Sequence, residues 1–221
     1  MNGIKDLIGK EICMEISGKI KFAGILIDAG MDIIVIYDGE RYLYCPLLHV
    51  HNVRIRDELD SIQQPLEKSS IEDESNSFSY RKTLTNAKGR FVEIFVTGNR
   101  SIHGYITSVL NDYIVFYSPV YKTMLISMHH LKWLTPYHHQ LTPYTLSNEM
   151  LPVVPTNITL SRSLEEQLQK YKGKLLVFDM GDNPDKIGLL KTIQNNIVEL
   201  VTAEGDTVFW KLSHLKTSHF P

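Results

Sequence analysis

Residues 104–112 read GYITSVLND, and the same frame recurs at residues 24–32 (GILIDAGMD) and 188–196 (GLLKTIQNN). Each stretch begins with glycine and ends eight positions later in Asp or Asn; another glycine lies fifteen positions upstream, and a histidine closes each copy. Because self-similarity along a chain indicates a repeat architecture, the sequence predicts one small domain built three times. The repeat frame consists of Gly9, Gly24, Asp32, His49, Gly89, Gly104, Asp112, His130, Gly173, Gly188, Asn196 and His214.

Apolar side chains alternate with other residues directly after the first glycine of each copy. A period of two is typical of a strand with one buried face. A turn follows, and a second strand then passes through the second glycine, where glycine usually marks a bend or a close backbone approach. Three more short strands complete each copy. The alternating positions of the first strands are Ile12, Met14 and Ile16, then Val92, Ile94 and Val96, then Leu176, Phe178 and Met180.

This order of five short strands with a bent second strand resembles the Sm-like and SH3-like small barrels. We therefore expect a mainly β protein of three tandem small five-stranded Sm-like or SH3-like barrels, each preceded by a short helix. The clearest helix signal is the capping box from Ser163 to Glu166. The predicted barrel repeats are residues 1–55, 79–135 and 161–221. Residues 56–78 form an acidic, flexible linker, and the Pro-rich linker 136–160 is expected to be extended and packed on a surface.

Charge and composition argue against a polyanion-binding, membrane or secreted protein. The net charge of -2 predicts no general affinity for polyanions, although the second copy is basic. The sequence has no apolar run long enough to cross a membrane and no secretory signal, so we expect a protein made and kept inside a cell, without membrane contact. Cys13 and Cys45 lack metal-ligand spacing and are expected to be reduced packing residues.

The closing segment of each copy carries a family resemblance. The segments YCPLLHVHNV (44–53), ISMHHLK (126–132) and WKLSHLK (210–216), together with GYITSVLNDYIV (104–115), resemble the repeats of the CotB family of spore coat proteins from Bacillus-type bacteria. The resemblance implies a structural component of the spore coat, made in the mother-cell cytoplasm and retained by contacts with other coat proteins. Members of that family carry a long Ser/Lys-rich tail after their repeats, and its role is not carried over to this chain.

The polar residues of the repeat frame are interpreted structurally. Each closing histidine is expected to make one local hydrogen bond, with metal binding and proton sensing as the alternatives. Asp32, Asp112 and Asn196 precede a strand, where such side chains commonly cap a turn by bonding the backbone two residues on. An amide cannot act as a general base, so Asn196 argues against catalysis. We expect no enzyme activity, catalytic residue, metal, cofactor or small-molecule substrate.

Three functions remain open at this stage. The first is a non-enzymatic structural component of the endospore coat whose partners are other coat proteins or further copies of itself. The second is an Sm-like protein that binds single-stranded RNA through aromatic and basic residues of the second copy. The aromatic residues expected to stack on bases are Tyr113, Phe116, Tyr117 and Trp133, and the basic residues to test are Arg90 and Lys132. The third is a scaffold outside the spore whose barrel edges pair with partners. The acidic balance of copies one and three disfavours nucleic acid.

Overall fold

A computed structural model describes residues 3–56, 62–65, 71, 78–97, 100–138, 143–145 and 159–221. Over these residues the chain forms fifteen strands and two short α-helices, joined by turns and short 3₁₀ segments. The described strand pairs are antiparallel. The prediction of a mainly β protein is confirmed. Most of the two predicted linkers, 56–78 and 136–160, lies outside the described residues.

Each copy of the repeat frame contains five strands. A helical segment precedes each set: a 3₁₀ turn at Lys5–Leu7, helix α1 (Tyr80–Asn86) and helix α2 (Leu164–Gln169). The strands of the first copy are β1 (Glu11–Ile16), β2 (Ile20–Ala29), β3 (Ile33–Tyr37), β4 (Tyr42–Pro46) and β5 (Val50–Ile55). Those of the second are β6 (Phe91–Thr97), β7 (Arg100–Val109), β8 (Tyr113–Ser118), β9 (Lys122–Ser127) and β10 (Trp133–Pro136). Those of the third are β11 (Leu175–Phe178), β12 (Ile187–Gln194), β13 (Ile197–Val201), β14 (Thr207–Lys211) and β15 (Thr217–His219).

Two of the local strand and helix signals are observed as expected, and a third is not. Ile12, Met14 and Ile16 are fully buried along β1, as the alternation predicts. The Ser163–Glu166 capping box is formed at the start of α2. The exception is Met180, which was expected to extend the first strand of the third copy. Strand β11 ends at Phe178 because the next residue, Asp179, and Met180 both adopt a left-handed backbone (φ 50° and 58°), which turns the chain into a 3₁₀ segment.

The chain divides into two compact units. The first comprises residues 1–95 and 132–141, and its strand order is β6-β10-β4-β3-β2-β1-β5. The second comprises residues 96–131 and 142–221, and its order is β14-β13-β12-β11-β15-β9-β8-β7. The first and third copies therefore share one internal order, in which the fifth strand pairs with the first strand and the fourth strand lies at the opposite end.

Within each unit, a strand of one copy pairs with a strand of the next copy. In the first unit β4 pairs with β10, and we call this contact the first junction. In the second unit β9 pairs with β15, and we call this contact the second junction. In both junctions the fourth strand of one copy meets the fifth strand of the following copy.

The hydrophobic cores also extend across these junctions. The core of the first unit contains residues of β1 to β4 together with Phe95 and Trp133 from the second copy. The core of the second unit contains Tyr113, Val115 and Leu125 from the second copy together with residues of the third. Neighbouring copies thus share buried surface within each compact unit.

Candidate interaction site

The second glycine of each copy lies where two strands approach closely. A Cβ atom there would lie less than 3.0 Å from a main-chain carbonyl oxygen of the next strand. A β-bulge follows a few residues later in all three copies, which bends the strand as the sequence predicts. The pairs of glycine and carbonyl are Gly24 with Tyr37, Gly104 with Tyr117, and Gly188 with Val201.

The first glycine of each copy has a different task. Gly9, Gly89 and Gly173 have φ values of 84°, 73° and 77°, in the left-handed region that favours glycine. They turn the chain from the helical segment into the first strand. The N–H of Gly9 donates to the carbonyl of Leu26, and that of Gly173 donates in the same way to Leu190, both at 2.8 Å.

Asp32 and Asp112 connect one copy to the helix of the next. The Oδ1 atom of Asp32 accepts the backbone N–H of Tyr80, the first residue of α1, at 2.8 Å. The Oδ1 atom of Asp112 accepts the N–H of Leu164, the first residue of α2, at 2.9 Å. The sequence predicted a bond to the backbone two residues on, whereas these bonds span 48 and 52 residues.

The local turn is instead supported by the main chain at the same positions. The carbonyl oxygens of Asp32, Asp112 and Asn196 each accept an N–H from the start of the 3₁₀ turn that follows the fourth strand, at 2.8 to 2.9 Å. Asn196 has a left-handed backbone with φ 63°. Asn tolerates this conformation better than most residues, which accounts for an amide in the third copy.

The three closing histidines have three different environments. His49 is buried, and its Nδ1 lies 3.3 Å from the Oγ of Ser17, within the same copy. His130 reaches into the next copy, where its Nε2 lies 2.8 Å from the carbonyl oxygen of Ser213. His214 is exposed. The prediction of one local hydrogen bond per copy therefore describes His49 but not His130.

Burial also affects the protonation of His130. Desolvation lowers the pKa of its imidazole, and the hydrogen bond to Ser213 offsets only part of that shift. Because a carbonyl oxygen only accepts, Nε2 carries a proton and donates this bond. Over the part of the chain that the structure describes, no three His, Cys, Asp or Glu side chains come together as a metal site requires.

Asp179 is a buried acid that the sequence did not single out. Its side chain is fully buried, and its Oδ1 accepts the N–H groups of Lys216 and Thr217 at 2.7 and 3.1 Å. Its Oδ2 lies 2.7 Å from the Nζ of Lys186. Although partial burial lowers the pKa of Lys186, the hydrogen bond and charge of Asp179 outweigh this effect and raise the pKa above its usual value. The available sequence signal was an acid inside the predicted alternation of Leu176, Phe178 and Met180.

The residues expected to bind RNA differ in whether they are exposed or make contacts within the fold. Lys132 donates from its Nζ to the carbonyl of Ser17 at 3.0 Å and lies over the ring of Phe95. Arg90 is exposed. Three of the aromatic residues expected for base stacking, Tyr113, Phe116 and Trp133, are buried in the core.

Among the described residues, strand β14 pairs only with β13 and strand β5 pairs only with β1, so each of these strands has an unpaired edge. Both carry apolar side chains in solvent: Phe209 on β14 is 65% exposed, and Ile55 on β5 is also exposed. Such edges are templates for pairing with another strand. Sequence reasoning did not identify Phe209, although its place five residues before His214 matches that of buried residues in the other copies.

In the described residues no helix is long and apolar enough to span a membrane.

Comparisons with known proteins give the family. A family model described as the YwrJ third domain matches residues 163–218, the third copy. Spore coat protein B of Bacillus subtilis (strain 168) is 24% identical over 143 residues, which cover 65% of this chain and 35% of that protein. YwrJ of Bacillus subtilis (strain 168) is 53% identical over 225 residues and is matched along its full length. The chain therefore belongs to the YwrJ family.

Proposed function

We propose that this protein is a non-enzymatic structural component of the bacterial endospore coat, acting through contacts with other coat proteins. The observation that carries the proposal is the partial similarity to spore coat protein B, which extends over 65% of the chain. In this proposal the three copies are small, partly open five-stranded barrels of the Sm-like or SH3-like type, joined through shared junctions. The protein is made in the mother cell and retained in the coat.

The geometry supports a structural role in two ways. The frame residues with chemically versatile side chains are used to hold the fold, as Asp32 and Asp112 do by binding helix N–H groups. The edges of β5 and β14, which are unpaired in the described part of the chain, supply surfaces for backbone hydrogen bonding to other chains. A coat protein needs such surfaces because its function is to be held by its neighbours.

Localisation during sporulation tests the proposal. A fluorescent fusion of this protein is produced in Bacillus subtilis that lacks its own YwrJ, from the YwrJ promoter. We expect signal only in the mother cell of sporulating cultures, followed by recovery in the coat fraction of purified spores. Accumulation in vegetative cells, or complete loss during spore washing, would refute the coat role. The fluorescent protein alone, from the same promoter, is the control.

The RNA-binding alternative has less support because Lys132 is occupied within the fold and three of the aromatic side chains, Tyr113, Phe116 and Trp133, are buried. It can be tested separately by a mobility shift with short single-stranded RNA at low salt. A shift that weakens in Arg90→Ala and at higher salt would favour RNA binding over the coat role.

A further inference from the structure

The two junctions have the same strand register. In the first junction Leu134 lies opposite Tyr44, and in the second Ser218 lies opposite Leu125. In both pairs the residue of the fourth strand lies five positions before the closing histidine of its own copy. The residue of the fifth strand lies four positions after the closing histidine of its own copy. The chain therefore uses one pairing rule twice, between the first and second copies and between the second and third.

Under this rule, one fourth strand and one fifth strand have no junction partner among the described residues. The fourth strand of the third copy is β14, where Phe209 lies five positions before His214. The fifth strand of the first copy is β5, where Val53 lies four positions after His49. Both strands are at the ends of the described strand orders, and neither has a partner there on its outer side.

Burial at the equivalent positions of the other two copies indicates that β14 lacks a covering strand in the described part of the chain. Tyr44 is 1% exposed and Leu125 is 4% exposed, and each lies in a junction. Phe209 occupies the same position and is 65% exposed. An aromatic side chain of this size contributes most when it is covered, and an exposed one beside a free edge marks an interaction surface.

The hydrogen bonds beside the second junction predict equivalent bonds between β14 and β5 when residues are again counted from the closing histidine of each copy. There the Ser127 N–H donates to the carbonyl of Lys216, and the ring of His130 binds the carbonyl of Ser213. The equivalent donor on the third copy is the N–H of Lys211, and its acceptor on the first copy is the carbonyl of His51. The equivalent ring is that of His214, which is exposed, and its acceptor is the carbonyl of Leu48.

We propose that β14 of one chain pairs antiparallel with β5 of a second copy of the same chain, with Phe209 opposite Val53. In this register Ile55 lies diagonal to Phe209, so two exposed apolar side chains become covered together. No like charges lie directly opposite each other, because Lys211 faces His51 and Arg54 faces Val208. Each chain carries both edges, so the contact is head-to-tail and can repeat or close on itself.

This inference goes beyond the proposed coat role, and either can fail without the other. Self-pairing is measured with the purified protein, whereas the coat role is measured by localisation in sporulating cells.

Cysteine cross-linking between two different variants tests the register. A Phe209→Cys chain is mixed with a Val53→Cys chain under mild oxidation, and only contact between copies can join the two. Residues opposite each other in antiparallel strands have Cα atoms about 5.5 Å apart or closer, within the range of a disulfide. We expect a covalent dimer of the mixed chains that disappears on reduction.

The matched control replaces Val53→Cys with Arg54→Cys. A shift of one residue places a side chain on the opposite face of the sheet, so this mixture is expected to give little cross-linking. The unsubstituted protein under the same oxidant measures any background from Cys13 and Cys45. Equal cross-linking with Arg54→Cys, or none with Val53→Cys, would overturn the proposed register.

Light scattering after size-exclusion chromatography tests self-association without cysteines. We expect the unsubstituted chain to have at least twice the monomer mass at high concentration, and Phe209→Asp to be monomeric. Val120→Asp makes the same charge change at an exposed valine in the turn between β8 and β9, and is expected to associate normally. Circular dichroism checks that both variants are folded. A monomeric unsubstituted chain across the accessible concentrations would refute the proposal.

Discussion

The carboxylate of Asp112 accepts the backbone N–H of Leu164, 52 residues further along the chain, and so binds the helix that begins the next copy. Asp32 makes the equivalent bond to Tyr80. In each unit, therefore, a turn residue of one copy satisfies a helix N-terminal donor that has no partner inside its own helix. The position joins successive copies as well as shaping its turn.

Removal of the Asp112 carboxylate is expected to destabilise the second unit. Asp112→Ala should lower the free energy of unfolding by about 2 kcal/mol, because a hydrogen bond to a charged group is lost and the N–H of Leu164 remains unpaired. Asp112→Asn keeps an oxygen acceptor and should cost less. Urea unfolding followed by circular dichroism measures the differences. Asp206→Ala, at an exposed turn of the third copy, is the control and should change stability little; equal effects of the two alanine variants would contradict the expectation.

A methyl group at Gly104 is expected to disrupt the bent strand. Its Cβ would lie against the carbonyl oxygen of Tyr117, which cannot move away without opening the pairing of β7 with β8. We expect Gly104→Ala to cost about 1 to 3 kcal/mol or to prevent folding. Gly3→Ala is the matched control, because a Cβ there meets nothing within 4 Å. A thermal midpoint of Gly104→Ala within 1 °C of the parent protein would show that the close approach is relieved in some other way.

Loss of the buried Asp179 carboxylate is expected to have a larger effect than loss of any surface acid. Asp179→Ala leaves the N–H groups of Lys216 and Thr217 without their acceptor, and it leaves the ammonium of Lys186 with only the longer contact to Asp182. The expected cost is about 3 to 5 kcal/mol, as for a broken buried ion pair. Asp182, whose more exposed carboxylate lies 3.4 Å from the same ammonium, provides the control variant Asp182→Ala. Comparable unfolding midpoints for the two variants would be inconsistent with this account.

Acidification is expected to destabilise the second unit through His130 and His219. Burial lowers the pKa of both imidazoles in the folded protein. The unfolded chain therefore binds more protons as the pH falls below the ordinary histidine pKa of about 6.5, and stability is lost between that pH and the lowered folded values. Above that range both rings are neutral in either state, and their contribution is fully present.

Substitution of these histidines measures that contribution. His130→Gln retains a donor for the carbonyl of Ser213 but cannot be protonated in this range. We expect its unfolding midpoint to fall less steeply than that of the parent between pH 7.5 and 5, and the double variant with His219→Gln to be flatter still. An unchanged pH dependence in the double variant would assign acid sensitivity to other groups.

Local sequence was sufficient for the elements inside each copy. Alternating burial along β1, the bend at Gly24 and the capping box at Ser163 all depend on a few neighbouring residues. The end of β11 was missed because a left-handed backbone at Asp179 is stabilised by contacts with Lys186 and the start of β15. Such contacts leave no periodic signal in the sequence.

The sequence did not predict that residues at the same repeat position have different environments, because those environments depend on neighbours in space. His49, His130 and His214 occupy one position of the repeat, yet one is buried, one binds the next copy and one is exposed. The same holds for Tyr44, Leu125 and Phe209, of which only the last is exposed.

The repeat pattern thus determined the number of copies, the strands within them and the glycines that bend those strands, because these features depend on local backbone sterics and side-chain alternation. Tertiary structure alone decided how copies pair and which frame residues cross a junction. It also decided which edges remain unpaired, since each of these depends on the strand that lies alongside. That difference follows from the range of the interactions: sterics act between chain neighbours, whereas strand pairing and burial act between residues far apart in sequence.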